Sequence, residues 1–229
     1  MHNQIILQIE TATTMCSVAL SAGGKLLALK EANERNIHAS EITLFIDDVM
    51  TRAGITYQQL NAVAVSKGPG SYTGLRIGVS TAKGLCFALD IPLIAVNTLE
   101  AMADGFIKKY PATDPSTILC PMIDARRMEV YTAIYDANLN QLEPVAAKVL
   151  DGQTFGKYLS GSNVIFFGDG AGKTQSLYAA NPNYRFIEFE NSASHLSELA
   201  VRKFQNGDFE DVAYFEPFYL KDFIAGVSK

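Results

Sequence analysis

The stretch Ser66-Lys67-Gly68-Pro69-Gly70-Ser71-Tyr72-Thr73-Gly74-Leu75-Arg76-Ile77-Gly78 constrains the fold of this chain more than any other. The apolar run Val63-Ala64-Val65 leads into it, and a run rich in small residues, Val79 to Leu89, follows. That order reads as strand, tight loop, helix. Glycine serves where the backbone must take positive φ or approach another group closely, and Pro69 stiffens the turn. A loop of this kind aims backbone N–H groups at whatever lies above the helix N-terminus, which suits an anion. The plainer reading is a strand-to-helix connection without a ligand.

Around this loop, hydrophobic periodicity predicts an alternating chain. Ile5 to Ile9, Cys16 to Leu20 and Lys25 to Lys30 read as strands, with Ala22-Gly23-Gly24 as a hairpin turn. Ser40 is the expected N-cap of a helix that runs to about Ala53 and stops at Gly54. Leu75 to Leu89, Pro92 to Val96 and Leu99 to Lys109 read as helix, strand and helix. The plan then restarts with strands at Thr117 to Ile123, Glu129 to Tyr135 and Leu142 to Leu150, where Pro144 marks an edge. A short helix opening at Asp151-Gly152 precedes a strand, Val164 to Phe167, that ends in Gly168-Asp169-Gly170-Ala171-Gly172. Ser192 or Ser194 is expected to cap a last helix to about Gln205, and Tyr214 to Phe223 reads as an extended aromatic tail.

Each half therefore repeats three antiparallel strands followed by alternating helices and strands. Tyr110-Pro111-Ala112-Thr113-Asp114-Pro115 has loop composition and is the expected boundary. The 229 residues suit one large or two small domains at ~150 residues each. Hydrophobic residues make up 48% and charged residues 19%, the composition of a globular chain. The N-terminus has no basic segment or cleavage site, and no apolar run is long enough for a bilayer, so a cytoplasmic protein is expected. The net charge of −5 argues against this chain alone gripping nucleic acid. Cys16, Cys86 and Cys120 each sit in apolar context and read as buried core residues.

Several segments together carry a resemblance. Lys67 to Gly78, Glu10-Thr11 with Cys16-Ser17-Val18-Ala19-Leu20, His38-Ala39-Ser40-Glu41, Asp124-Ala125-Arg126-Arg127-Met128-Glu129-Val130-Tyr131 and Pro217-Phe218-Tyr219-Leu220-Lys221 resemble the signature of the bacterial TsaB (YeaZ) family, over about residues 4 to 221. The resemblance implies the duplicated α/β fold shared by actin, hexokinase and the heat-shock chaperones (ASKHA, ribonuclease H-like). Two similar lobes would each hold a mixed sheet flanked by helices. The first would span 1–110, completed by 192–229, and the second, smaller one 111–191. The resemblance further implies a cytoplasmic partner of the paralogue TsaD. With TsaE, and with TsaC supplying threonylcarbamoyl-adenylate, the pair places a threonylcarbamoyl group on adenosine 37 of tRNAs reading codons that begin with A. The TsaB member is the non-catalytic one, and tRNA is reached through the complex. ATP or ADP and a metal are expected on TsaD.

TsaD carries two histidines four apart after the strand that follows the glycine-loop helix. Here Thr98 and Met102 stand at those positions, and neither suits a d-block ion held by nitrogen and oxygen. The histidines are His2, His38 and His195, none within a helical turn of another. No metal site and no catalytic residue are therefore expected in this chain. His38 reads as a partner contact or a cap, or as a satisfied surface histidine. Gly168-Asp169-Gly170-Ala171-Gly172-Lys173-Thr174 imitates a Walker A loop, but Phe167 stands where the first glycine is required. Glu10, Thr11, Asp124, Arg126, Gly168 and Gly170 remain candidate cleft contacts, which a stand-alone ATPase or small-molecule kinase of this superfold would need. A protease reading finds no serine, histidine and acid constellation. The expected docking surface for TsaD, or for a second copy when the chain is isolated, consists of His38, Ile42, Phe45, Val49, Leu75, Val79 and Leu85. The bland alternative is that both helices are covered by their own sheet.

Overall fold

The computed structural model describes residues 3–111, 114–156 and 162–221. Successive side chains of a strand point to opposite faces, and the first sheet uses both. It is built from β1 (Ile5–Glu10), β2 (Met15–Ala22), β3 (Lys25–Asn33), β4 (Ala62–Gly68) and β5 (Leu93–Asn97), in the order β3-β2-β1-β4-β5. β1 and β2 pair antiparallel, as do β2 and β3, while β1, β4 and β5 run parallel. Leu7, Ile9, Val63 and Val65 meet α1 (His38–Ala53) and α2 (Tyr72–Leu89) on one face. Ile6, Ala62, Ala64 and Ile94 meet Ala101, Leu196, Leu199 and Ala200 on the other.

The second sheet repeats the topology. Its strands are β6 (Ile118–Asp124), β7 (Glu129–Tyr135), β8 (Gln141–Val149), β9 (Val164–Phe167) and β10 (Tyr184–Ile187), in the order β10-β9-β6-β7-β8. Replacing each strand by the one five places earlier recovers the first sheet. β8, which carries Pro144, lies at an edge as its composition requires. β10 is not marked by the sequence: β9 is as short but wholly apolar and buried, whereas Arg185 interrupts β10 and only Tyr184 of its four residues is buried.

α3 (Thr98–Lys109) joins the two sheets. Ala101 packs on the first, whereas Leu99, Met102, Ala103 and Phe106 pack on the second. Phe106 is fully buried and stacks on Phe167 with centroids 4.3 Å apart. Two further helices among the described residues are α4 (Gly172–Tyr178) and α5 (Ser197–Gln205), the latter preceded by a 3-10 turn, Ala193–Leu196. Ser192 caps that turn through Ser194 N, while α5 itself has no side-chain cap.

α1 starts two residues before the expected cap. Ile37 is its N-cap and has no side-chain cap, and Ser40 Oγ instead donates to the Ile37 carbonyl at 3.0 Å. The start is anchored from afar, since His38 Nε2 donates to the Met15 carbonyl at 3.2 Å. Gly54 ends the helix in the left-handed conformation, as expected. Residues 152–155 form turns, and 157–161, where the expected short helix would continue, lie outside the described residues, as do His2, 112–113 of the boundary segment and 222–229 of the tail.

Candidate functional site

The glycine loop faces inward. A Cβ on Gly74 would overlap the Thr11 carbonyl oxygen, and one on Gly70 would lie 2.7 Å from the Ala12 Cβ. Only a residue without a side chain allows that approach. Ser71 N donates to the Ala12 carbonyl at 2.6 Å, and Ser71 Oγ accepts from Gly74 N at 3.3 Å. Of the two readings the sequence leaves open, the plain strand-to-helix connection fits better: the Ser71 N–H is taken by the Ala12 carbonyl, and the Thr11 carbonyl lies against Gly74.

Glu10 ends β1 beneath this contact and is 1% exposed. Its carboxylate accepts from Ser66 Oγ, and from Ala12 N at 2.6 Å. Burial pushes the carboxyl up to about 7 despite those hydrogen bonds. Thr11 is fully buried as well. Neither side chain is open to a ligand, so both are corrected from cleft contacts to buried supports of the loop.

The loop also receives the tail. Phe218 N donates to the Lys67 carbonyl at 2.7 Å, and the Tyr219 ring lies 4.6 Å from Tyr72. The Arg76 guanidinium sits over Tyr72 at 4.5 Å. Lys221 then pairs with Glu129 on β7. Two signature segments, Lys67 to Gly78 and Pro217 to Lys221, thus meet from opposite halves of the sequence, and the tail ties the first sheet to the second. The sequence pattern by itself gives Tyr219 no role.

The second glycine-rich turn closes by charge. Asp124 Oδ1 accepts from Arg126 N at 2.6 Å and pairs with Lys173 Nζ at 2.7 Å. Lys173 also donates to the Glu129 carbonyl at 2.9 Å. Asp124 N donates to Asp169 Oδ1 at 2.9 Å, and burial holds the Asp169 carboxyl above its ordinary range. The lysine that imitates a Walker A residue is thereby occupied. Arg126 and Arg127 form an exposed turn at φ 67° and 45°, and Gly170 N donates to the Met122 carbonyl at 3.2 Å.

A hollow of about 320 Å³ opens between the sheets, with Thr13, Thr14, Asp169, Glu188 and Glu190 on its lining. Of the candidate cleft contacts, Gly168 lines it and Glu10, Thr11, Asp124, Arg126 and Gly170 do not. Three carboxylates and no cation border it among the described residues, a poor setting for a polyphosphate.

Thr98 and Met102 do not fit a metal. Both are buried, Met102 packs in the apolar core of the second sheet, and Thr98 Oγ1 has no hydrogen-bond partner among the described residues. Among the described residues no group of three or more His, Cys, Asp or Glu could hold an ion. His195 is buried against Phe189, with ring centroids 5.1 Å apart, and burial together with Lys108 and Lys109 lowers it to about 4. The three cysteines are free and buried, and burial raises Cys16 and Cys86 to about 11 and Cys120 further upward.

The expected docking residues need correction. Ile42, Phe45, Val49, Leu75, Val79 and His38 are all buried, and Leu85 is half-buried against the same core. Their helical spacing marked the inward face. The outward face carries Leu44 at 58% exposure on α1 and Phe87 at 84% on α2. Both fall out of phase with the buried set, which is the signal that would have found them. Lys83, one turn before Phe87, donates to the carbonyls of Ala213 at 3.2 Å and Phe215 at 2.9 Å and fixes the tail to α2.

The family model for TsaD, tRNA N6-adenosine threonylcarbamoyltransferase, matches residues 30–215. The tRNA threonylcarbamoyladenosine biosynthesis protein TsaB of Escherichia coli (strain K12) is 42% identical over 135 residues, 59% of this chain and 56% of that protein. The TsaB protein of Buchnera aphidicola subsp. Schizaphis graminum is 32% identical over 179 residues, 78% of this chain and 70% of that one. The chain belongs to the TsaB (YeaZ) family. The chain spans little more than half the length of the first TsaB relatives it matches, 56% for Escherichia coli and 53% for Haemophilus influenzae. YeaZ from Pseudomonas aeruginosa superposes with a TM-score of 0.79 at 24% identity, covering 95% of this chain and 100% of that one. That likeness shows the fold, and the duplicated ASKHA-like α/β architecture implied by the TsaB resemblance is the one observed.

Proposed function

We propose that this chain is a non-catalytic subunit that binds and activates a TsaD paralogue in the assembly that transfers a threonylcarbamoyl group to adenosine 37 of tRNAs reading codons that begin with A. The observation that carries this reading is the outer face of α1 and α2, where Leu44 and Phe87 are 58% and 84% exposed. Covering a phenylalanine is worth about 1.5–3 kcal/mol, and aromatic side chains anchor interfaces. A helix pair with such a face suits the matching helices of a paralogue. Isolated from it, two copies would cover the same face as a homodimer.

The chemistry belongs to the partner on this reading. Thr98 and Met102 are core residues, Lys173 is tied to Asp124, and the hollow between the sheets is bordered by carboxylates. ATP or ADP and the metal are assigned to TsaD, TsaE joins the pair, and tRNA is engaged by the complex. No helix among the described residues is long and apolar enough to cross a membrane, in keeping with a cytoplasmic assembly. The same proposal treats 1–110 with 192–229 as one lobe and 111–191 as the other. Reconstitution with TsaD, TsaE, TsaC, ATP, threonine, bicarbonate and tRNA tests it. Modified adenosine should form with this chain and fall to background without it; an unchanged rate on omission contradicts the proposal.

A further inference from the structure

A second hollow, of about 420 Å³, lies at the opposite margin of the first sheet. It opens at the carboxyl ends of the parallel strands β4 and β5, the end at which open α/β sheets bind ligands. Lys67 comes from β4 and Glu100 from the first turn of α3, whose N-terminus Asn97 caps through Leu99 N at 3.0 Å. Both are half-buried, and neither forms an ion pair with the other or with any carboxylate or cation among the described residues. This contrasts with Lys108, Lys148, Lys173, Lys203 and Lys221, each of which holds a carboxylate. Leu139, Val145 and Phe218 supply an apolar wall, and the tail that brings Phe218 there is bonded to the Lys67 backbone.

We propose that this hollow binds a small zwitterion of the α-amino-acid class with an aliphatic side chain. The ligand carboxylate would meet the Lys67 ammonium, its ammonium group the Glu100 carboxylate, and its side chain the Leu139, Val145 and Phe218 wall. The volume suits a small molecule. A nucleotide would bring phosphates against Glu100, and an apolar ligand would leave both charges desolvated without partners. A zwitterion satisfies both at once with charge-assisted hydrogen bonds. The proposal is independent of the docking face on α1 and α2, which is built from other residues.

The test is titration calorimetry and amide NMR on the purified full chain with L-valine and L-leucine. 4-Methylpentanoate and isopentylamine serve as single-charge controls. Saturable binding of an amino acid is expected, with each control at least about tenfold weaker, because each lacks one charge-assisted bond. Lys67→Met and Glu100→Gln should each weaken amino-acid binding at least about tenfold. The idea is overturned if neither amino acid binds saturably up to about 10 mM, a concentration that would reveal even a weak site. It also fails if the controls bind as well, or if both folded variants bind like the parent. The comparison with the controls stands even if a variant does not fold.

Discussion

Two glycine-rich turns occupy equivalent places in the two sheets, one leading from β4 into α2 and one from β9 into α4. Each secures the end of the strand that starts its own sheet. The first does so by backbone contact, with Ser71 N on the Ala12 carbonyl and no space at Gly74, above a buried Glu10. The second does so with charge at the surface, through Lys173, Asp124 and Asp169. One turn opens a helix of 18 residues and the other a helix of 7. Glycine motifs that look alike as strings can therefore serve packing in one half and support an ion pair in the other, and neither has to hold a phosphate.

Four substitutions break or sharpen this contrast. Gly74→Ala should be the most damaging, costing about 3 kcal/mol in urea unfolding, because the obstacle is backbone that cannot swing aside. Glu10 should give a pH dependence of similar size. Its carboxyl rises from the ordinary 4.5 to about 7 on folding, so the native state binds the extra proton between those values. Stability should fall as pH rises through that window, by on the order of 3 kcal/mol, and Glu10→Gln should flatten the profile. Stability that instead rises across the window would contradict a buried, desolvated carboxylate. In the second turn, Lys173→Met should cost about 1 kcal/mol, since its partner Asp124 is partly exposed and screened. Gly172→Ala meets open space at a helix start and should stabilise by about 0.5 kcal/mol. An equal response of Gly74 and Gly172 in thermal melts would erase the distinction.

The order of elements was legible because strand alternation and helical spacing depend on neighbours in sequence. Ile6 and Leu7, or Ala62 and Val63, announce two faces without knowledge of what covers them. What decides the role of the glycine loop lies elsewhere in the chain. The Thr11 and Ala12 carbonyls that fill the space above it, and the Phe218 amide bound to Lys67, come from segments that no local pattern connects to it. The same holds for His38, which starts α1 early by reaching the Met15 carbonyl. Helical spacing misled at the docking face, since a regular apolar stripe identifies the core. Leu44 and Phe87 were readable as exceptions to that stripe, and Lys67 with Glu100 only once β4 and α3 were side by side.

Whether the outer face of α1 and α2 docks on TsaD is decided by light scattering on size-exclusion peaks of the chain mixed with the TsaD paralogue from the same cell. A 1:1 complex is predicted for the parent chain and its loss for Phe87→Asp, whose exposed position leaves the monomer folded. A parent chain that never co-elutes with TsaD, or a folded Phe87→Asp variant that co-elutes as well as the parent, would contradict the account.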